Sequence, residues 1–338
     1  MRTIKVEDAV GVTLCHDITA MRTGFKGVAF PKGHVVTEED IPKLLDIGKK
    51  TIFVWEDKDG MIHENDAAER LSRLSDVDGA HYVGPSEGKM MLKADKPGMF
   101  RVDKALLEQI NRIGEITISC LPDHYPAQVG DLLASMRVVP LVVEDWQIRD
   151  AERLAAGKQL FRLLPYHRKK VGILITGSEV YTGRIQDKFE AVARKKLESY
   201  PAEIIGVELC DDDTVMIAQK AQAFIDQGAD LLLFSGGMSV DPDDVTPLAI
   251  KELGADIICY GVPSQPGNMS LLAYKGGVTL LGVPGAAMAL PTTVFDVVLP
   301  QIFAGVRFTL EELKRLGDGG LCQFCNECHY PNCTFGRY

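Results

Sequence analysis

The sequence predicts an α/β protein whose later half is a three-layer domain, a mostly parallel sheet with helices on both faces. Two observations predict this. Short, continuous apolar runs recur in that half, as expected for strands buried on both faces. Amphipathic segments of helical period alternate with the runs. The runs lie at 171–175, 204–207, 231–234, 257–260 and 278–281.

Three segments between and after these runs are predicted to be helical. The last, near residues 288–303, is apolar nearly all round, so we expect it to pack deeply in the domain. The other two each have one apolar face, formed by Phe189, Val192, Ala193 and Leu197 in the first and by Val215, Ala218, Ala221 and Ile225 in the second.

The earlier half is predicted to hold smaller, β-rich α+β regions. A helix is expected to begin near Thr37, which is predicted to cap it, with acids in its first turn, and to end at Gly48. Further strands and helices are predicted at 51–55, 64–74, 89–92, 100–102, 104–113, 116–120, 138–143 and 146–154. The predicted segments are an N-terminal α+β region at 1–75, a small β-rich domain at 76–165, the α/β domain at 166–308, and a helix with a cysteine-rich tail at 309–338.

Composition excludes several classes of function. The net charge of −10 over 338 residues argues against a broad nucleic-acid surface, which needs clustered Lys and Arg. No apolar stretch reaches the ~20 residues of a membrane helix, so no membrane partner is expected. The first residues lack an apolar signal core, and we therefore expect a cytoplasmic protein.

The unusual residues of the later half follow its predicted strands, and ligands bind at the carboxyl ends of strands in such sheets. A double glycine between a strand and a helix lets the backbone approach a ligand, and its free N–H groups favour an anion. The candidate binding residues are Thr176, Gly177, Ser178, Ser235, Gly236, Gly237, Met238, Ser239, Pro266, Gly267, Pro284 and Gly285.

Four acids near these turns, Glu179, Asp187, Asp230 and Asp244, are the candidate catalytic residues. They would hold a cation or act as acid/base groups beside a phosphorylated ligand. Taken singly, each is better explained as a helix cap or a turn residue; their occurrence together on one sheet edge favours the functional interpretation. P-loop, dinucleotide-binding and zincin motifs are missing from the sequence.

Residues 169–307 resemble the molybdopterin-binding fold shared by bacterial MogA and MoeA proteins and by gephyrin. The segment from Asp230 to Ser239 is similar to the family's glycine-glycine signature, and Asp244-Val-Thr-Pro resembles the motif of its adenylylating branch. Thr176-Gly-Ser-Glu179 resembles the T-G-D-E of its molybdenum-inserting branch. The resemblance implies binding of molybdopterin, a pterin dithiolene with a phosphate, and Mg²⁺-dependent insertion of molybdate into its adenylylated form.

The resemblance also implies self-association, as a trimer or dimer. Several positions depart from the family pattern: Ser178 replaces an Asp, Asn268 replaces a Lys, and Ala286 and Ala287 replace Asn-Pro. These departures leave open a non-catalytic alternative, in which the chain carries or senses molybdopterin. An enzyme acting on another pterin or nucleotide is a third, weaker hypothesis.

The last seventeen residues contain four cysteines and a histidine that predict a metal site: Cys322, Cys325, Cys328, Cys333 and His329. Three thiolates at this spacing resemble half of a bacterial ferredoxin motif, which allows a [4Fe–4S] cluster. Zn²⁺ is the equal alternative, held by four thiolates or by three and the histidine. The remaining interpretation is a flexible tail with unligated thiols.

Overall fold

A computed structural model describes residues 2–22, 24–54, 59–239 and 241–337, and the structural statements below refer to these residues. The chain divides into two compact units, where the sequence predicted four consecutive segments. One unit lies within residues 1–95, 102–121 and 130–162, and the other within 96–101, 122–129 and 163–338. The units interleave along the chain because residues 98–102 and 125–127 pair in one sheet with residues 161–165.

The strands are β1 Arg2–Lys5, β2 Ile18–Arg22, β3 Phe25–Phe30, β4 Thr51–Val54, β5 Met61–His63, β6 Ala80–Ser86, β7 Lys89–Ala94, β8 Gly98–Val102, β9 Ile116–Cys120, β10 Tyr125–Ala127, β11 Leu132–Val138, β12 Val142–Glu144, β13 Phe161–Pro165, β14 Lys169–Thr176, β15 Ala202–Cys210, β16 Leu231–Ser235, β17 Asp256–Tyr260, β18 Leu271–Lys275 and β19 Val278–Val283. The helices are α1 Asp40–Asp46, α2 Glu64–Ser72, α3 Lys104–Asn111, α4 Asp145–Ala155, α5 Ser178–Tyr181, α6 Phe189–Leu197, α7 Thr214–Asp226, α8 Thr246–Glu252, α9 Val294–Phe303 and α10 Leu310–Arg315.

The first unit is built from antiparallel pairs, and its predicted β-rich α+β character is confirmed. Its largest sheet has the order β6-β7-β11-β9, and the pairs β1-β4, β2-β3 and β5-β12 complete it. The predicted strand at 138–143 is wrong: β11 ends at Val138 and β12 starts at Val142, with Pro140 in the break. Proline lacks the N–H that a continuous ladder needs. Trp55, the last residue of another predicted strand, lies outside the described residues.

At the start of helix α1, the predicted capping residue is a hydrogen-bond donor and not the acceptor. Thr37 was expected to cap the helix; instead the Asp40 carboxylate accepts hydrogen bonds from Thr37 N (3.1 Å) and Thr37 Oγ1 (2.8 Å). His34 Nε2 lies 2.7 Å from the same Asp40 oxygen, and the pKa of this carboxyl is lowered, first of all by that hydrogen bond. The helix is followed by Gly48 with φ +82°, as predicted.

The second unit contains the predicted three-layer domain, and this fold class is confirmed. Its six-stranded sheet has the order β15-β14-β16-β19-β18-β17. The first four strands are parallel, whereas β18 runs antiparallel to both of its neighbours. Strand β18 was missed from the sequence because Leu271–Lys275 is short and close to β19, from which a two-residue turn at Gly276 and Gly277 separates it.

Helices cover both faces of this sheet and enclose a separate apolar core on each side. One core joins α6, α9 and α10 to the sheet and includes Phe189, Phe295 and Phe303. The other joins α7 and α8 to the opposite face and includes Phe224 and Ile250. The continuous apolar character of β14 and β16 follows from burial on both faces.

Two predicted helices of this unit need correction in detail. Val215 was predicted on the buried face of α7 but is 58% exposed, while Ile217 and Phe224 are buried. Helix α7 is apolar on more than one side, so periodicity alone did not select the face. Helix α9 begins at Val294, later than predicted, because Thr293 and Asp296 form a capping box there. In the described part of the chain, no helix is both long and apolar enough to cross a membrane.

Candidate functional site

A cleft of about 830 Å³ opens at the carboxyl edge of the six-stranded sheet. Strands β14, β16 and β19 end at this edge, so the turns that follow them meet there. The side chains that line the cleft come from these strand ends, from the loop before α6 and from the turns after β16 and β19. They are Ile175, Thr176, Glu179, Val180, Ile185, Gln186, Asp187, Lys188, Ser235, Gly236, Gly237, Met238, Ser239, Asp244, Met269, Val283, Gly285 and Met288.

The turn at Gly236 and Gly237 admits only glycine. Their φ angles are +94° and +55°. A Cβ on Gly236 would lie 2.0 Å from the backbone oxygen of Thr176, and one on Gly237 would lie 2.7 Å from Thr246 Oγ1. Both the backbone conformation and the space therefore exclude a side chain.

Two buried threonines hold this turn from below. Thr246 Oγ1 donates to the Gly236 carbonyl at 3.0 Å, and Thr176 Oγ1 donates to the Ser235 carbonyl at 3.3 Å. The two hydroxyls lie 3.1 Å apart, and Thr246 is fully buried. These bonds fix the backbone of the turn, which itself lines the cleft.

Backbone N–H groups of the turn are available to a ligand. Among the described residues, none accepts a hydrogen bond from the N–H of Gly236 or Gly237. Successive N–H groups in a turn of this kind form a concave anion site. The start of α8 follows at Thr246, whose own N–H donates to the Gly237 carbonyl at 3.2 Å.

Tyr260 holds the far end of the turn and was missed from the sequence. It ends β17, and its hydroxyl lies 2.9 Å from the Met238 carbonyl and 3.0 Å from the Ser239 carbonyl. Burial, and then the charge of Asp244, raise the pKa of this hydroxyl, so it remains a donor at neutral pH. The sequence offered no signal for this role, because the order of the strands in the sheet, not local sequence, places Tyr260 beside the turn.

Three of the four predicted acids line the cleft: Glu179, Asp187 and Asp244. Asp187 also caps α6, since its two carboxylate oxygens accept the N–H groups of Phe189 and Glu190 at 2.9 Å each. Asp244 Oδ2 accepts the N–H of Asp241 at 2.8 Å. Two of the three acids therefore have a structural role besides the predicted one.

Asp230 does not lie with the other acids, and its predicted place at the ligand edge is wrong. It precedes β16, so it lies at the amino end of the strand, where its Oδ2 accepts the N–H of Lys170 at 2.8 Å. An acid before a parallel strand and an acid after it are at opposite edges of the sheet. Sequence proximity to the glycine turn concealed this difference.

Several predicted binding residues lie beside the cleft without lining it. Gly177, with φ +141°, precedes α5, and Ser178 is bound to the carboxylates that follow β15: its N–H donates to Asp212 at 2.8 Å and its hydroxyl to Asp211. This hydrogen bond lowers the pKa of Asp211. The remaining three, Pro266, Gly267 and Pro284, lie close together, with Gly267 next to Pro284.

Lys188 is the basic residue among the described side chains that line the cleft, and it was missed from the sequence. It directly follows Asp187 at the start of α6 and is exposed. Asn268 stands where the resembled family has a lysine, but Lys188, from a different loop, provides a positive charge in the cleft. Two methionines, Met269 and Met288, add apolar wall and were also missed.

The cysteine tail lines a second cleft, of about 370 Å³. All four tail cysteines and His329 face it, beside Thr292 and Phe335. Within the described residues, however, no three His, Cys, Asp or Glu side chains are grouped to hold a single metal ion. The predicted tail metal therefore remains a prediction, as does Mg²⁺ in the larger cleft.

Comparison with known families assigns the α/β domain. Residues 172–304 match the family model of the probable molybdopterin binding domain, and residues 3–56 match a domain of unknown function (DUF8806). The sequence resemblance of the later half to this family is confirmed over the matched residues. The chain is thus similar to the molybdopterin-binding type of domain over residues 172–304, and to a family without a described role over residues 3–56.

Curated relatives share only part of their length with this chain. A molybdopterin molybdenumtransferase of Synechococcus elongatus is 28% identical over 45% of this chain and 40% of its own length. A CinA-like protein of Mycobacterium tuberculosis is 35% identical over 23% of this chain and 18% of its own length. Among solved structures, the molybdopterin biosynthesis enzyme MoaB of Thermus thermophilus covers 40% of this chain at 23% identity, with a TM-score of 0.32.

Proposed function

We propose that the cleft at the carboxyl edge of the six-stranded sheet binds molybdopterin and that the protein takes part in molybdenum-cofactor biosynthesis, because residues 172–304 match the family model of the probable molybdopterin binding domain. The observation that carries the proposal is the turn at Gly236 and Gly237, which lines a cleft of about 830 Å³ and whose two N–H groups have no acceptor among the described residues. Such a turn recognises a phosphate without a cluster of basic side chains.

The other walls of the cleft suit the rest of this ligand. Met269 and Met288 give apolar surface on which a flat pterin ring can pack. Lys188 supplies a positive charge at the start of α6. The ligand would therefore be oriented, with its phosphate at the glycine turn and its ring along the apolar wall.

We further propose that the reaction is insertion of molybdate into adenylylated molybdopterin, assisted by Mg²⁺. The donor set fits this ion, because Mg²⁺ is usually held by one or two carboxylates plus substrate phosphates, and Glu179 and Asp244 both line the cleft. When bound, the ion would neutralise phosphate or molybdate charge and polarise the bond that breaks. Asp187 would add negative charge while its oxygens continue to cap α6.

Asp244→Asn tests the role of the acids, because its effect on ligand affinity should have a different direction with and without Mg²⁺. Without Mg²⁺, the carboxylate repels an anionic ligand, so the substitution should leave the affinity for molybdopterin unchanged or raise it. With Mg²⁺, the substitution should weaken binding by roughly tenfold, since a ligand of the ion is lost. Calorimetry with and without the ion measures both. Asp256→Asn is the matched control, because Asp256 begins β17 and lies at the opposite edge.

Insertion itself is measured by molybdate incorporation into adenylylated molybdopterin, with the double substitution of Asp187 and Asp244 to Asn. We expect molybdate incorporation to fall at least roughly a hundredfold. Unchanged incorporation would refute the catalytic role of the acids. Binding of molybdopterin by the unaltered protein without any incorporation would instead assign the carrier function. Failure to bind any pterin would refute both the insertion activity and the carrier function.

A further inference from the structure

The cysteine tail, residues 321–337, is fixed to the α/β domain by hydrogen bonds and by apolar burial. Cys322 N donates to the Gln265 carbonyl at 2.8 Å, and the Tyr330 hydroxyl donates to the Asp296 carbonyl at 3.0 Å. Phe335 is 2% exposed and belongs to the same core as α9. The interpretation of the tail as a flexible segment is therefore not supported by its packing.

This anchoring brings all the tail thiols to one cleft. Cys322 and Cys333 are half-buried at its base, while Cys325 and Cys328 are exposed. The rest of the wall is largely apolar and includes Pro266, Leu290, Pro291, Phe324 and Phe335. A thiol-lined cleft with apolar walls matches the ligand preference of iron and zinc, which take soft sulfur donors.

The sulfurs are also prepared to carry negative charge. Phe324 N donates to Cys322 Sγ at 3.4 Å, and Thr292 Oγ1 lies 3.1 Å from Cys328 Sγ. Phe324 reaches this position with φ +51°, a left-handed conformation that is unfavourable for a non-glycine residue. Hydrogen bonds to sulfur stabilise thiolates and are a general feature of iron–sulfur ligation.

The size of the cleft favours a cluster over a single ion. Thiolates bound to zinc lie about 2.3 Å from one central ion, whereas a four-iron cluster is a larger body that needs its own space among its ligands. The cleft of about 370 Å³, which all four tail thiols line, provides that space.

We propose that the tail cleft binds a four-iron, four-sulfide cluster through Cys322, Cys325, Cys328 and Cys333. Each thiol loses its proton and forms one bond to iron. The segment 290–292 lies against this cleft, and Gly285 and Met288, a few residues earlier, line the larger one. The cluster would thus rest on the chain segment that also shapes the pterin cleft. The proposal does not depend on the ligand of that cleft.

Anaerobic purification of the full chain, followed by reconstitution with ferric iron, sulfide and dithiothreitol, which reduces part of the iron, tests the proposal. We expect about four iron and four acid-labile sulfide per chain, with a visible absorption that bleaches on reduction with dithionite. Zinc as the sole bound metal, with iron absent after reconstitution, would overturn the cluster. The unaltered protein decides this point, whatever happens to the variants.

Variants then assign the ligands. Cys325→Ser and Cys328→Ser each alter an exposed residue, and each should lower the iron content of the reconstituted protein at least twofold. Cys120→Ser is the matched control, a cysteine on β9 outside the tail, and should keep the full content. His329→Ala should also keep it, since the four thiolates suffice. Full iron content in a double Cys325/Cys328 variant, or loss of iron in His329→Ala, would refute this ligand set.

Discussion

The two clefts of the α/β unit are built on different principles. The glycine turn is fixed by the protein alone, through buried threonines below it and Tyr260 at its end. The cysteine tail is fixed at its ends, but two of its four thiols are exposed and its donors are not drawn together. A ligand that must enter and leave requires a site formed in advance, whereas a resident cluster can complete the site that holds it.

Gly236→Ala should have the largest effect on this comparison. The added Cβ meets the Thr176 carbonyl at 2.0 Å in a left-handed conformation, so we expect a loss of roughly 3 kcal/mol in the free energy of unfolding. Gly254→Ala is the matched control, since Gly254 has φ +80° with open space around it and should lose only about 1 kcal/mol. Urea unfolding measures both. Equal losses would mean that the turn is not preformed.

Removal of the hydroxyl below the turn comes next in expected size. Thr246→Val keeps the shape of the fully buried side chain but removes the donor to the Gly236 carbonyl. The stranded carbonyl should reduce the free energy of unfolding by about 2 kcal/mol, and a turn with lost support should bind molybdopterin less tightly. Urea unfolding and calorimetry provide the two measurements. Thr182→Val, at an exposed hydroxyl, is the control and should change the free energies of unfolding and of binding by less than about 0.5 kcal/mol each.

For the cysteine tail, in contrast to the glycine turn, we predict that stability depends on the bound group. If its cleft is completed by a cluster, the reconstituted protein should unfold at a temperature several degrees above that of the metal-free protein. The glycine turn should not depend on this step, so molybdopterin binding by the metal-free protein should stay within about threefold. Differential scanning calorimetry and titration give these values. Identical unfolding temperatures with and without the cluster would contradict a completed site.

The sequence predicted the sheet and its ligand-binding edge, but it did not predict which residues lie at that edge. Buried strands such as Leu231–Ser235 have a continuous apolar signature, which makes them visible without tertiary knowledge. Asp230 and Asp244 look alike in sequence, yet they lie at opposite ends of β16, and only strand direction separates them. Tyr260 reaches the glycine turn through the order of the strands, and Lys188 reaches the cleft from the loop before α6; local sequence encodes neither placement.

Asp187 combines a helix cap with a place in the cleft, and two substitutions separate these roles. Asp187→Ala removes the acceptors of the Phe189 and Glu190 N–H groups and should reduce the free energy of unfolding by about 1 kcal/mol. Asp187→Asn keeps an acceptor oxygen, so most of that loss should be restored while the charge remains absent. Urea unfolding of both variants shows the difference. An unrestored loss would assign the stability to the charge near the start of α6.

Lys188→Met should have the smallest effect, and it isolates the contribution of charge from that of the turn. The residue is exposed, so the free energy of unfolding should stay within about 0.5 kcal/mol. Its attraction to a phosphate is screened by salt, so affinity for molybdopterin should fall only a few-fold at low ionic strength and by less at high ionic strength. Lys195→Met, exposed on the same helix but outside the cleft, should leave the affinity unchanged at every ionic strength. If Lys188→Met instead abolished binding, the side chain and not the backbone turn would be the main anion site, and the cleft would no longer count as preformed by its backbone.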